Sequence, residues 1–185
     1  MALTPSNMLP LGTKAPDFTL VDAVSERKMT LDDLKSDKAT VIMFLCNHCP
    51  YVKHIQPELV KLAEDYIPEG IKFVAISSND VEEYPEDSPE LMQAEAKKWG
   101  YPFPYLYDET QSVAKAYDAA CTPDFYIFNG ELELVYRGQL DSSRPGNGKP
   151  LTGSDIRAAL NDILKDNPIS DQQVPSQGCN IKWKR

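Results

Sequence analysis

Two cysteines separated by two residues, Cys46-Asn47-His48-Cys49, stand between an apolar run, Val41 to Leu45, and a helical pattern that starts near Tyr51. This junction restricts the fold more than any other stretch, because a strand must deliver the pair to the start of a helix. There the first sulfur lies beside unpaired backbone N–H groups and the positive end of the helix dipole, and both stabilise a thiolate. Cys46 is therefore expected to be the more acidic thiol, and the junction reads as a redox site.

The 185 residues, 42% of them hydrophobic, suffice for one substantial core. A single domain over 1–185 is expected, with 166–185 as a tail packed on it. The opening Met1-Ala-Leu-Thr-Pro-Ser-Asn lacks an export pattern and no run approaches membrane-spanning length, so a cytoplasmic location is expected. A net charge of -9 argues against nucleic acid and anionic membrane surfaces as partners. Much of that acidity is local: Asp80, Glu82, Glu83, Glu86, Asp87 and Glu90 crowd a stretch holding Pro85 and Pro89, which reads as a solvated loop. The four cysteines, in a reducing compartment, are expected as thiols rather than a structural disulfide framework. Both histidines of the chain, His48 and His54, lie within a few residues of the pair.

Along the chain, residues 1–16 read as an extended lead-in, and 17–21 with 27–30 as an edge hairpin. Thr30 and Asp33 have capping-box spacing for a helical turn. The apolar strand near 40–45 suits a central strand buried on both faces. Val52, Ile55, Leu59, Leu62, Ala63 and Tyr66 recur on one helical face, with Pro57 inside and Gly70 closing the unit. Residues 71–76 form the next strand, a parallel neighbour of the first. Ser88 and Pro89 open a helix through Leu91, Met92, Ala96 and Trp99 that ends at Gly100. A short strand at 103–107 precedes a helix capped by Asp108 with Gln111. Cys121-Thr122-Pro123 leads into a strand at 124–128, joined through a type I′ Asn129-Gly130 turn to another at 132–136. Residues 141–150 read as an exposed loop. Ser154 or Asp155 caps the last helix.

This order resembles the thioredoxin fold: a mixed α/β sheet flanked by helices, here with an N-terminal hairpin and a peroxiredoxin-type insertion. More narrowly, Phe44-Leu-Cys-Asn-His-Cys-Pro-Tyr-Val-Lys53, Cys121-Thr-Pro-Asp-Phe125, Val135-Tyr-Arg-Gly-Gln139 and Gly178-Cys-Asn-Ile-Lys-Trp-Lys184 look like a peroxiredoxin-like (AhpC/TSA) group whose members carry a thioredoxin-type cysteine pair. The resemblance implies that Pro123 is cis and lies against the pair, with Thr122 offering its backbone to a partner strand. Two departures accompany it. Thr40 stands where many thioredoxins keep a buried acid, so another base or water must deprotonate Cys49. If Cys49-Pro50 matches the peroxidatic cysteine and its proline, Cys46 replaces a family threonine, and neither Arg137 nor Arg144 is obviously placed as the activating arginine.

The expected function is thiol-disulfide exchange: Cys46 engages a partner sulfur, Cys49 resolves the mixed disulfide, and Thr122-Pro123 align the partner. His48 supplies positive charge beside the Cys46 thiolate, and Pro50 starts the helix. His54 is expected at the surface. Cys121 reads as a small buried hydrophobe, and Cys179 in the tail is expected within reach of Cys121, forming either a second disulfide with it or a relay to the pair. No cofactor or metal is expected; the partners are protein or small-molecule disulfides, peroxides as an alternative, and a thiol reductant. Two other readings are a thiol peroxidase using Cys49 and a metal module holding a soft ion on Cys46, Cys49 and a histidine.

Overall fold

The computed structural model describes residues 3–185; Met1 and Ala2, where the lead-in was expected to begin, lie outside the described residues. In chain order its strands are β1 (Leu3–Pro5), β2 (Thr19–Asp22), β3 (Lys28–Thr30), β4 (Ala39–Phe44), β5 (Ile71–Ser77), β6 (Tyr105–Tyr107), β7 (Cys121–Thr122), β8 (Asp124–Asn129), β9 (Leu134–Gly138) and β10 (Gln177–Asn180). The helices are α1 (Leu31–Leu34), α2 (Pro50–Tyr66), α3 (Pro89–Trp99), α4 (Ser112–Ala116) and α5 (Ser154–Leu164). Among the described residues the strands make a seven-stranded sheet, β3-β2-β6-β5-β4-β8-β9, and a three-stranded one, β1-β10-β7.

The larger sheet is built around β4, parallel to β5 and antiparallel to β8. Every β4 residue is fully buried, so its apolar run needs no polar face. Burial of each large side chain there contributes about 1.5–3 kcal/mol. One face packs on α2 through Leu59 and Leu62; the other holds Phe44, Tyr117, Tyr126 and Phe128 in tilted and edge-to-face ring contacts. The edge hairpin β2–β3 forms as expected, and Thr30 with Asp33 completes the capping box of α1. Among the described residues no helix is long and apolar enough to cross a membrane.

The helix through Leu91, Met92, Ala96 and Trp99 forms as α3, with Met92 and Ala96 buried and Leu91 46% exposed. Several local expectations are corrected. Asp108 does bond the N–H groups of Val113 and Ala114, but α4 starts four residues beyond it, and Gln111 reaches the Ser78 and Lys182 carbonyls instead of the cap. The Asn129-Gly130 turn is not type I′. The Asn129 carboxamide oxygen accepts from the N–H groups of Glu131 and Glu133, and the positive φ falls on Leu132, so β9 starts at Leu134 rather than Leu132. Gly153 precedes α5, and the Asp141 carboxylate, rather than Ser154 or Asp155, accepts from Thr152 and Gly153. The 141–150 loop is accordingly anchored at Asp141 and Ser143, which are buried, and exposed beyond them.

The tail joins the body through β10. In the smaller sheet β10 lies between β1 and β7, with Leu3 opposite Cys179, Thr4 opposite Gly178, and Cys179 opposite Thr122.

Candidate active site

β4 ends at Phe44, Leu45 bonds the Ile76 carbonyl, and the chain turns through Cys46-Asn47-His48 into α2, whose N-cap is Cys49 and whose first residue is Pro50. Proline suits that position, since its missing N–H has no helical partner there and its φ is already helical. The Thr122-Pro123 peptide is cis, as the resemblance implied. Thr122 then meets both sulfurs: its hydroxyl lies 3.4 Å from Cys46 Sγ, and its carbonyl accepts from Cys49 Sγ at 3.4 Å.

The acidic stretch proves to be a working part of the site, not a solvated loop. Asp87 is fully buried, and its carboxylate accepts from the Asn47 N–H at 2.8 Å, from Asn79 Nδ2 at 2.9 Å and from His48 Nδ1 at 2.6 Å. Asn47 adds a bond to the Glu86 carbonyl and accepts from Tyr105 Oη, both at 2.9 Å. Asp80 is buried as well, its N–H donating to the Lys182 carbonyl. Sequence reasoning missed Asp87 because four of the five other carboxylates in its stretch, Glu82, Glu83, Glu86 and Glu90, are exposed surface residues. The available signal was that a half-buried His48 needs a partner.

Burial alone would push the Asp87 carboxyl up, but the bonds from His48, Asn79 and the Asn47 N–H hold it below its ordinary value. The Asp87 bond in turn raises His48 against the opposing effect of burial. The two therefore form an ion pair, and the positive charge expected to act on Cys46 is largely neutralised. The stability His48 contributes is complete below about pH 6.5 and is lost as pH rises through its higher folded value; that of Asp87 is complete above about pH 3.9 and is lost as pH falls through its lower folded value. Tyr84 stacks on His48 at 5.3 Å between ring centroids, and Lys182 Nζ lies 5.6 Å from the Tyr84 ring, so the tail also covers this side.

The thiol order is the reverse of the expectation. Burial pushes Cys46 up, and neighbouring Cys49 and Asp87 add to it. Interaction with the Cys46 thiol draws Cys49 down to about 5 against the effect of burial, helped by the thiol and N–H of Cys179 and the N–H of Val52 at the start of α2. The two shifts belong to the pair, which gives up its first proton more readily than an isolated thiol while burial holds the second. The Thr40 hydroxyl, where many thioredoxins keep an acid, accepts from the Ser36 N–H.

The other candidates separate clearly. Residues 121 and 122 alternate across β7, so Cys179, opposite Thr122, projects to the side of the cysteine pair, while Cys121 projects away from it. Cys179 joins Cys46 and Cys49 in one buried cluster; Cys121 is a fully buried thiol that burial pushes up strongly. His54 is partly buried and bonds Ser143 Oγ at 2.7 Å, so it anchors the 141–150 loop rather than facing solvent. Arg137 donates to Leu9 and Gln173, and Arg144 to Asp141, Ser143 and Gln139. For a metal, Cys46, His48 and Asp87 place donor atoms within 4.8 Å of one another. That set differs from the expected Cys46, Cys49 and histidine, and an ion would have to displace the bond between His48 and Asp87.

The AhpC/TSA family model matches residues 11–137. The chain belongs to the AhpC/TSA family. The match ends before the tail, so Cys179 lies outside it. Among solved structures, this AhpC/TSA chain is 64% identical to an uncharacterized conserved protein from Geobacillus kaustophilus, covering 100% of this chain and 97% of that one at a TM-score of 0.98. It is 51% identical to a hypothetical protein from Sinorhizobium meliloti 1021, covering 98% of each at a TM-score of 0.95. It is also 28% identical over 130 residues, 69% of this chain and 68% of the relative, to the thiol-disulfide oxidoreductase ResA of Halalkalibacterium halodurans.

Proposed function

We propose that the protein is a thiol-disulfide oxidoreductase whose redox pair is Cys46 and Cys49, acting on protein disulfides and thiols. The observation that carries the reading is the geometry of the pair, whose two sulfurs both meet Thr122 beside the cis-proline at the start of α2. An incoming thiolate attacks Cys46 Sγ of the Cys46–Cys49 disulfide; the S–S bond breaks, and the electron pair leaves on Cys49, where Cys179 and the N–H of Val52 favour the thiolate. A low-pKa sulfur leaves faster and stabilises the reduced form, so the arrangement favours oxidation of the partner. In reverse, Cys49 attacks the mixed disulfide on Cys46 and releases the partner thiol. Thr122-Pro123 hold both sulfurs in place, and the ion pair of His48 and Asp87 keeps the loop closed. The ResA likeness supports the exchange chemistry. The four free, buried thiols suit a thiol reductant as electron donor and a reducing, cytoplasmic setting.

Mixed-disulfide trapping tests the roles. Cys49→Ser should accumulate partner disulfides on Cys46, and Cys46→Ser should accumulate none; the opposite pattern would exchange the two. Peroxide consumption should be slow, because Cys46 stands where a hydroxyl would stabilise the departing oxygen and both arginines bond other groups. Rapid peroxide reduction that survives Cys46→Ser and vanishes in Cys49→Ser would favour the peroxidase instead.

A further inference from the structure

Cys46 is 1% exposed and Cys49 0%, so neither sulfur of the redox pair is open to a partner while the tail is in place. What lies over Cys49 is a strand of the same chain. β10 is paired with the two residues before the cis-proline, and the register sets Cys179 against Thr122, the residue whose carbonyl accepts from Cys49 Sγ. The approach is close: a Cβ on Gly178 would fall 1.9 Å from the Thr122 carbonyl oxygen. Because Thr122 turns its hydroxyl toward Cys46, its neighbour across the ladder turns Cys179 to the same side, and the three cysteines pack in one buried cluster.

From this geometry we propose that Cys179 is a third redox-active thiol, which exchanges with the Cys46–Cys49 disulfide to give a Cys49–Cys179 disulfide and a free Cys46 thiol. The inference rests on the oxidoreductase reading above, which supplies the oxidised pair. Cys179 Sγ attacks Cys49 Sγ, the bond between Cys46 and Cys49 breaks, and the proton given up by Cys179 ends on Cys46, so no further oxidant or reductant is consumed. The product fastens β10 over the site and leaves Cys46 without a disulfide to offer an incoming thiol. Oxidising equivalents are then held inside the chain until the tail thiol is released. The exchange is self-timed. In the reduced protein burial and the charge on Cys49 push Cys179 up to about 12; once Cys49 is in a disulfide that charge is gone, while Lys182 still draws Cys179 down.

Acid-quenched mass mapping of the wild-type chain equilibrated with glutathione disulfide tests the proposal. Peptides joined through Cys46–Cys49 and through Cys49–Cys179 should both be found, their populations within about tenfold of each other, with Cys121 in neither. In Cys46→Ser, glutathione placed on Cys49 should be displaced by Cys179, and adding Cys179→Ser should lengthen its lifetime roughly tenfold or more. A wild-type chain that forms Cys46–Cys49 but no Cys49–Cys179 overturns the inference and leaves the oxidoreductase reading intact. A chain that forms no Cys46–Cys49 disulfide overturns that reading, and the proposed exchange with it.

Discussion

The larger and smaller sheets meet at Thr122-Pro123, and they are held by different means. β4, β5 and β8 pair over six residues each and bury side chains on both faces. β7 pairs with β10 over two residues and β10 with β1 over three, between segments far apart in the chain. Short ladders joining distant segments return little burial for the loop entropy they cost, and such elements open first. The cysteine pair is fixed by the larger sheet and covered by the smaller one. A buried nucleophile can then work by local opening, without loosening the scaffold that positions it.

The largest effect should come from the larger sheet. Phe44, fully buried and packed 5.8 Å from both Tyr117 and Tyr126 between ring centroids, leaves a cavity in Phe44→Ala that costs about 3–5 kcal/mol. Denaturant unfolding should show this loss in a single transition. A loss below about 1 kcal/mol would mean that β4 does not carry global stability as its burial indicates.

Gly178→Ala attacks the smaller sheet alone. The added Cβ meets backbone, the Thr122 carbonyl, which cannot rotate away as a side chain would, so β10 must separate from β7. The expected result is alkylation of the pair roughly tenfold faster and rapid amide exchange at 177–180, with the main unfolding transition nearly unchanged. Cysteines as slow to alkylate as in the wild type would show that β10 is not their cover.

The difference between the sheets also explains what could be read from the residues. β4, α2 and β5 announce themselves through an unbroken apolar run and a helical repeat, since their burial is decided within the segment. The cysteine pair and Thr122-Pro123 were legible for the same reason, as was the edge hairpin. β10 carries no periodicity, because Gln177-Gly178-Cys179-Asn180 becomes a strand only where β1 and β7 present edges to it. Asp87 was hidden likewise: nothing in Pro85-Glu86-Asp87-Ser88 sets one carboxylate apart from the others until Asn47, His48 and Asn79 converge on it. The order of acidity failed because burial weighs on Cys46, while the bonds that lower Cys49 come from Cys46 itself, from Cys179 in the distant tail and from the Val52 N–H.

A smaller effect should follow from altering the ion pair. His48→Ala leaves the buried Asp87 charge beside Cys46, disfavours the thiolate form of the pair and makes the disulfide harder to reduce, by about 30 mV for each 1.4 kcal/mol. Asp87→Asn removes that charge but also lets His48 fall back toward its ordinary value. Near pH 7 its potential should stay close to the wild type, and below about pH 6.5, where the imidazole protonates unopposed, it should become more oxidising. Potentials of both variants at pH 5.5 and 7.5 check the sign. Equal shifts in the two would remove the ion pair from the redox chemistry.

The smallest effect lies in Tyr105→Phe, and it separates the two sheets most finely. Tyr105 belongs to β6, is 1% exposed, and gives its hydroxyl proton to the Asn47 Oδ1 at 2.9 Å. It is the direct bond from the larger sheet to the residue whose N–H holds Asp87. Replacing it keeps the ring and its packing against Tyr101 but leaves the Asn47 oxygen without its donor in a buried place, a loss of about 1–3 kcal/mol. The bond makes no contact with β10, so amide exchange at 177–180 should be unchanged relative to global unfolding. Alkylation of Cys46 should rise only as far as the global equilibrium does. If instead the tail amides loosen along with the Asn47 loop, the cover and the scaffold are one cooperative unit, and opening β10 to reach the cysteines would disturb the site that it exposes.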